Sequence, residues 1–235
     1  MFDAIAPRYD FLNHLLSAGI DRRWRAAAIR SLRLTGRETV LDVCCGTADV
    51  ALAARRNHGP KAGSGDSTGS GAARVVGVDF SGAMLSVGAM KVNAAGESQR
   101  IALVRGDATQ LPVRSASVDA LTVAFGIRNV QRPDLACREM VRVLRPGGRL
   151  AILEFGVPRL PGISSLYLWY FKRVLPAIGR MVSGHTAAYS YLPASVGTFS
   201  PPAEFMSMLR GAGLTDIRAD PMTLGIVYLY TARRE

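Results

Sequence analysis

Short apolar runs alternate with helix-like patterns along most of the chain. Runs rich in β-branched residues predict strands at TVLDV (39–43), RVVGVDF (74–80), IALVRGD (101–107), ASVDALTVAFG (116–126) and RLAILEFG (149–156). Apolar residues at helical spacing predict helices over residues 47–56, over the stretch that follows Ser81, and over residues 133–144, before RPGGR. Strands that alternate with helices form βαβ units, so we expect a mostly parallel sheet.

Both ends of the chain add elements to this core. Residues 2–33 have a helical pattern that Gly19 interrupts, with Asp21 as a candidate cap for the second helix. A helical pattern over 201–212 precedes two strands, TDIRAD (215–220) and GIVYLYTAR (225–233), which have no helix between them. The whole pattern predicts one α/β domain over residues 1–235, with a seven-stranded sheet that carries an antiparallel hairpin at one edge.

Three segments lie outside the alternating core. Residues 1–34 form a predicted N-terminal helical lid. Residues 57–74 are rich in Gly and Ser and have almost no large apolar side chains, which predicts a flexible surface insertion. Residues 162–196 are helical in pattern and rich in aromatic residues, and we interpret them as a helical insertion on the substrate side of the domain.

Composition narrows the class of protein. No run of about 18 apolar residues is present, and the first residues lack a basic segment before an apolar one, so we expect no membrane span, no secretory signal and a cytoplasmic location. Three cysteines without a Cys/His cluster indicate reduced thiols and no metal site. The net charge of +11 favours an acidic partner, either nucleic acid or an anionic membrane surface.

The stretch VLDVCCGTADV (40–50) is the first candidate for ligand binding. A strand ending in Asp42, a small-residue loop with Gly46 and Thr47, and a helix start suit a nucleotide-like ligand at the carboxyl end of a first strand. Because only one of the expected glycines is present, an ordinary strand–turn–helix is the alternative.

Acids also end the next two strands. Asp79 could accept both ribose hydroxyls of an adenosine, and the 57–74 insertion explains why it lies 37 residues after Asp42. Asp107 could accept from the adenine amino group, with the amide of Ala108 at the ring, and Met84 could lie over adenine. The alternatives are a helix cap for Asp79, a turn for Asp107 and the core for Met84. Acids without a phosphate-binding motif favour a cationic adenosine compound such as S-adenosylmethionine.

Six motifs carry a family resemblance over nearly the whole chain. VLDVCCGTADVAL, VVGVDFSGAML, VRGDATQLPVRSASVDALT and REMVRVLRPGGRLAILEF resemble the class I S-adenosylmethionine-dependent methyltransferases. RYDFLNHLLSAGIDRRWR and FGIRNV resemble, more narrowly, the family of demethylmenaquinone methyltransferase and 2-polyprenyl-6-methoxy-1,4-benzoquinol methylase. The resemblance implies a Rossmann-like fold and a cofactor site at Asp42, Gly46, Thr47, Asp79, Phe80, Met84, Asp107, Ala108 and Ala124.

The chain departs from that family at two cofactor-site positions. Ala48 replaces a usual glycine, which restricts φ to negative values unless strain is accepted, so we expect weakened binding rather than none. Ala124 replaces a serine that is frequent in relatives, which removes a hydroxyl contact to the cofactor.

The resemblance implies C-methylation of a reduced polyprenyl quinol, with demethylmenaquinol converted to menaquinol in quinone biosynthesis. FGIRNV should project from the carboxyl edge of the sheet, where Arg128 and Asn129 could donate hydrogen bonds to a quinol oxygen. A surface turn capped by Asn129 is the alternative. Guanidinium stays protonated, so the proton acceptors would come from the N-terminal lid, with candidates Tyr9, Asp10, Asn13 and His14.

The expected partners follow from the quinol that accepts the methyl group and from the net charge of the chain. A quinol with an apolar tail requires transient contact with a membrane surface, at the inner face. The aromatic stretch 167–173 is the candidate for this contact, although it could equally be a lid packed on the core. A homodimer is compatible with the sequence, and no nucleic acid is expected. The alternatives are a methyltransferase of another small phenol and an RNA-binding methyltransferase, for which RRWR (22–25) is weak support because Trp24 also suits packing.

Overall fold

The computed structural model describes residue 17 and residues 19–56, 74–158, 195–197 and 199–235. In chain order its main elements are α1 (Asp21–Ser31), β1 (Thr39–Val43), α2 (Asp49–Arg56), β2 (Arg74–Asp79), α3 (Gly82–Ala94), β3 (Ile101–Arg105), β4 (Val118–Ala124), α4 (Pro133–Val143), β5 (Leu144–Phe155), α5 (Pro202–Gly211), β6 (Leu214–Met222) and β7 (Val227–Arg234). Short 3-10 turns at Ile127–Asn129 and Thr223–Gly225 precede α4 and β7.

The seven described strands form one sheet in the order β3-β2-β1-β4-β5-β7-β6. Strands β3, β2, β1, β4 and β5 run parallel to one another, and β7 is antiparallel to both β5 and β6. The predicted mostly parallel sheet and the antiparallel C-terminal hairpin are therefore confirmed. From β1 the chain adds β2 and β3 on one side of the sheet and then adds β4 and β5 on the other side. Open α/β sheets bind ligands at such a reversal of strand order, which here lies between β1 and β4.

Two apolar clusters cover the two faces of the sheet. On one face, Leu41 and Leu121 pack with Met140 of α4 and Phe205 of α5. On the other, residues of α1 and α2 pack on alternate positions of the same strands, with Val40 and Ala120 among them. Because both faces are covered, β1 and β4 are nearly continuous apolar runs, as parallel sheets require.

Two predicted boundaries are wrong in detail. Ile20 occupies the N-cap of α1, and Asp21 is the first residue of the helix, where its carboxylate accepts a hydrogen bond from the Ser17 hydroxyl at 2.8 Å. Strand β5 begins at Leu144 rather than at Arg149, because Leu144 already pairs with Val118 and residues 145–148 bulge before the ladder resumes.

None of the helices within the described ranges has the length and hydrophobicity needed to cross a bilayer. The predicted 57–74 insertion lies outside the described residues apart from Arg74, and the predicted 162–196 insertion lies outside them apart from residues 195 and 196.

Candidate active site

A cleft of about 400 Å³ opens at the carboxyl ends of β1, β2 and β4. This volume lies within the range of small-molecule sites, and the cleft lies beside the reversal of strand order. Most of the predicted cofactor residues line it, namely Gly46, Asp79, Phe80, Met84, Asp107, Ala108 and Ala124. These seven residues therefore lie together at one cleft, and their contact with a cofactor stays a prediction.

The loop after β1 has an unusual backbone. Cys44, Gly46 and Ala48 have φ of 56°, 53° and 66°, in the left-handed region that favours glycine. Ala48 therefore accepts the strain that its replacement of glycine implies. Gly88 of α3 faces it: a Cβ added to Gly88 would lie 3.3 Å from the Ala48 Cβ and 3.2 Å from the Thr47 carbonyl carbon. Without a side chain at Gly88, the helix leaves room for the Ala48 methyl group.

Asp79 joins the loop to the start of α3. One carboxylate oxygen, Oδ2, accepts a hydrogen bond from the Gly46 amide at 2.8 Å, and Oδ1 accepts from the Ser81 amide at 2.8 Å. The cap of α3 itself is Ser81, as predicted, whose hydroxyl accepts from the Met84 amide at 3.1 Å. Asp79 therefore holds the loop after β1 and the start of α3 together at the wall of the cleft.

The far side of the cleft is partly exposed. Asp107 is exposed, and its Oδ1 accepts from the amide and the hydroxyl of Thr109, both at 2.8 Å. Asp107 therefore forms the turn that we gave as its alternative role, and this turn is part of the cleft wall. Met84 is buried and lines the cleft, so it serves the core and the wall together. Phe80 is 70% exposed, and the Arg105 guanidinium lies 5.9 Å from its ring centre.

A smaller cavity of about 30 Å³ adjoins the cleft and shares Cys44, Gly46, Ala124 and Phe125 with it. The remaining two predicted cofactor residues, Asp42 and Thr47, lie here with Arg25 and Asp49. Asp49 pairs with Arg25 at 2.5 Å and with Lys91, whose amine also contacts the Thr47 hydroxyl at 3.3 Å. These ion pairs fix the end of the loop between α1 and α3.

Asp42 is almost completely buried in this second cavity. Its Oδ1 accepts from the Thr122 hydroxyl at 2.8 Å, and its Oδ2 has no hydrogen-bond partner within the described part of the chain. Burial raises the pKa of Asp42 to about 7; the Thr122 hydrogen bond opposes this rise and the charge of Asp79 adds to it. Burial likewise raises the pKa of the Cys44 and Cys45 thiols well above their usual range.

Arg128 forms a buried ion pair rather than projecting into solvent. Its side chain is 6% exposed and that of its partner, Glu154, is fully buried, with 2.7 Å between Arg128 Nη1 and Glu154 Oε1. The surface-turn alternative is therefore wrong for Arg128. Asn129 lines the cleft, whereas Arg128 is absent from its lining. The direct contact that we predicted between Arg128 and a quinol oxygen stays a prediction.

The candidate proton acceptors Tyr9, Asp10, Asn13 and His14, and the aromatic stretch 167–173, lie outside the described residues.

Sequence reasoning missed several residues of the site. Glu154 is a single acid in the apolar strand LAILEF, which is a signal of a buried pair, but nothing local identifies Arg128 as its partner. Phe125 has φ of 58° and lines both cavities. Gly126 is required because a Cβ there would lie 2.3 Å from the Cys44 Cβ.

Trp24, the aromatic residue of RRWR, belongs to the core. It is 5% exposed, its indole nitrogen donates to the Thr223 hydroxyl at 2.9 Å, and its ring lies 6.1 Å from Phe125 and 6.4 Å from Phe155. The packing interpretation of Trp24 is confirmed, so RRWR no longer supports RNA binding.

Comparison with known proteins relates the site to one family. A model described as the ubiE/COQ5 methyltransferase family matches residues 1–234. The chain is 45% identical over 234 residues to the ubiquinone/menaquinone biosynthesis C-methyltransferase UbiE of Syntrophotalea carbinolica, covering 100% of this chain and 92% of the relative. It is 38% identical to the demethylmenaquinone methyltransferase of Bacteroides fragilis, covering 100% and 91%.

Solved structures agree on the fold. A SAM-dependent methyltransferase from Aquifex aeolicus superposes with a TM-score of 0.60 at 18% identity, covering 89% of this chain and 87% of that one. The Rossmann-like methyltransferase fold implied by the sequence motifs is therefore confirmed.

Proposed function

Because this chain belongs to the ubiE/COQ5 methyltransferase family, we propose that it transfers the methyl group of S-adenosylmethionine to a ring carbon of a reduced polyprenyl quinol. Demethylmenaquinol is the acceptor and menaquinol the product. The observation that carries this proposal is the family match over residues 1–234 joined to a cleft lined by the carboxylates of Asp79 and Asp107.

The residues present suit S-adenosylmethionine. Asp79 at the end of β2 and Asp107 after β3 offer acceptors for ribose and adenine, and the cleft volume of about 400 Å³ fits a ligand of this class. Asp42, buried beside the cleft with an unpartnered oxygen among the described residues, favours a cationic ligand nearby. When bound, S-adenosylmethionine supplies a methyl group on a positively charged sulfur.

The reaction balances without a further co-reactant. Loss of a proton from one quinol oxygen increases electron density on the adjacent ring carbon. The electron pair of that carbon forms the new carbon–carbon bond while the sulfur–methyl bond breaks, and its ring proton leaves to restore the aromatic ring. The protein must align carbon, methyl and sulfur and exclude water.

Two sets of residues would assist the chemistry. Asn129 lines the cleft at the end of the turn that follows β4, so its amide is the candidate donor to the acceptor oxygen. Tyr9, Asp10 and His14 of the N-terminal lid are the candidate proton acceptors. Arg128 is paired with Glu154 and is absent from the residues that line the cleft, so it would act on the quinol oxygen indirectly.

The acceptor requires a membrane-surface contact. Its polyprenyl tail is apolar, and the net charge of +11 favours anionic lipid headgroups. Flotation with vesicles that contain phosphatidylglycerol should carry the protein upward at low salt and release it at high salt. Equal partition onto purely zwitterionic vesicles would show that charge does not drive the contact.

The function can be tested in cells that lack this protein. Mass spectrometry of their extracted quinones should show one quinone short of a single methyl group, and the wild-type gene should restore the methylated product. Complementation with Asp79→Ala is the matched control and should restore less. Normal quinones in the deleted cells would contradict the proposal, and an accumulated demethylated benzoquinone would move it to the other quinol class.

A further inference from the structure

Glu154 is a fully buried carboxylate at the carboxyl end of β5, in a strand that is otherwise apolar there. Within the described part of the chain, the hydrogen bonds of its carboxylate run to the neighbouring turn and to its own strand. Oε1 accepts from Arg128 Nη1 at 2.7 Å and from the Phe155 amide at 2.9 Å, and Oε2 accepts from the Arg128 amide at 3.2 Å. A buried charge persists only when it is paired in this way.

Arg128 makes further contacts within its own turn and with one other segment of the chain. Its Nη1 donates to the Phe125 carbonyl at 2.6 Å, and its Nε donates to the Ser195 hydroxyl at 3.3 Å. The guanidinium lies 5.3 Å from the centre of the Phe155 ring, which itself packs 4.6 Å from the Phe125 ring. The pair therefore joins the end of β5, the turn after β4 and the segment that ends the predicted substrate-side insertion.

The turn that Arg128 holds forms part of the cleft. Phe125 lines it with a strained φ of 58°, and Asn129 lines it at the other end of the turn. A strained backbone persists only where its surroundings fix it. Replacing a buried ion pair by apolar residues is often neutral or stabilising, so stability is a poor explanation for keeping a charge at position 154.

We propose that Glu154 is a positioning residue for methyl transfer. It fixes the Arg128 guanidinium, which fixes residues 125–129, and this turn places the Asn129 amide at the acceptor. Ser195, which accepts from Arg128 Nε, links the same pair to the segment that ends the predicted substrate-side insertion. The inference rests on the proposed function for the identity of the acceptor, but the order of the turn can be measured without it.

The test compares two glutamine variants of similar chemistry. Glu154→Gln removes the charge that holds Arg128. Glu97→Gln removes the partner of Arg55, a pair with 2.7 Å between its atoms of which neither residue lines the cleft. Glu154→Gln should keep its affinity for S-adenosylmethionine by calorimetry and lose about tenfold to a hundredfold in turnover at saturating substrates. Glu97→Gln should keep wild-type turnover.

Hydrogen exchange supplies a readout that needs no quinol. Peptides that span 125–130 should exchange faster in Glu154→Gln than in the wild type, and peptides that span β2 should not. The variant Arg128→Gln with Glu154→Gln, which leaves no unpaired buried charge, should regain thermal stability and keep low turnover. If Glu154→Gln itself fails to fold, this double variant provides the same comparison.

Wild-type turnover in folded Glu154→Gln, or turnover that recovers with stability in the double variant, would overturn the positioning role. A wild-type protein that methylates no quinol would instead refute the proposed function. In that case unchanged exchange over 125–130 in the variant would still overturn this inference by itself.

Discussion

Replacing Asp42 by asparagine should remove a pH dependence of stability that burial creates. The folded protein holds this carboxyl at a pKa of about 7, against an ordinary value of 3.8. A raised pKa means that the folded state binds more protons than the unfolded chain between these two values. Stability contributed by the protonated group is therefore lost as pH rises from about 4 to about 7.

The size of the effect follows from the shift. About three pKa units at roughly 1.4 kcal/mol each correspond to a loss of about 4 kcal/mol when the group is fully ionised. About 2 to 3 kcal/mol of this loss falls between pH 5 and pH 8. Asparagine has no charge to desolvate and can keep the contact with the Thr122 hydroxyl, so Asp42→Asn should become more stable relative to the wild type by that amount across the interval.

Urea unfolding at both pH values, followed by circular dichroism without cofactor, measures this difference. The comparison between the two proteins cancels the titrating groups that do not interact with Asp42. A Thr122→Val variant, which removes the hydroxyl and keeps the carboxyl, should show a steeper loss of stability with pH than the wild type. Parallel stability curves for wild type and Asp42→Asn would refute the argument, because they would mean that Asp42 titrates alike in folded and unfolded chains.

Three further predictions concern single side chains. Asp79→Ala should weaken S-adenosylmethionine binding by roughly tenfold to more than a hundredfold, because charge-assisted hydrogen bonds contribute about 1.5–3 kcal/mol. Calorimetry measures this affinity, and an unchanged value in the folded variant would remove Asp79 from the site. Gly88→Ala should destabilise the fold by about 1–3 kcal/mol through overpacking, and adding Ala48→Gly should restore part of the melting temperature; no recovery would show that the two residues do not compete for space. Glu38 has its pKa lowered to about 2, since burial raises it but hydrogen bonds from Thr35 and neighbouring amides outweigh burial. Glu38→Gln should therefore destabilise by up to about 3 kcal/mol above pH 5, and this cost should shrink as the pH falls towards 2; a cost independent of pH would refute the assignment.

Much of the fold was predictable because local patterns and global topology agree. Apolar runs marked β1 to β5, and the absence of a helix between the last two runs marked the hairpin. The position of Asp79 and Asp107 at one cleft was predictable because parallel strands end at one edge of the sheet. The exact start of β5 was not, since pairing of Leu144 with Val118 depends on a neighbouring strand.

The missing part of the site depends on contacts between distant segments. Glu154 and Arg128 are 26 residues apart, and nothing in the local sequence of either residue identifies the other as its partner. The Ala48 methyl group lies against Gly88 of α3, 40 positions along the chain, where a Cβ would lie 3.3 Å from it. Periodicity describes which face a residue takes, but it carries no information about which side chain lies opposite.

The reaction that we propose for this protein is methyl transfer to a ring carbon of a reduced polyprenyl quinol. The most direct measurement incubates the purified protein with methyl-deuterated S-adenosylmethionine and chemically reduced demethylmenaquinol, and locates the label by tandem mass spectrometry. We expect one deuterated methyl group on the quinone ring, none when the quinone is supplied oxidised, and much less from Asp79→Ala. A label on oxygen, or labelling of a soluble phenol in preference to the quinol, would contradict it.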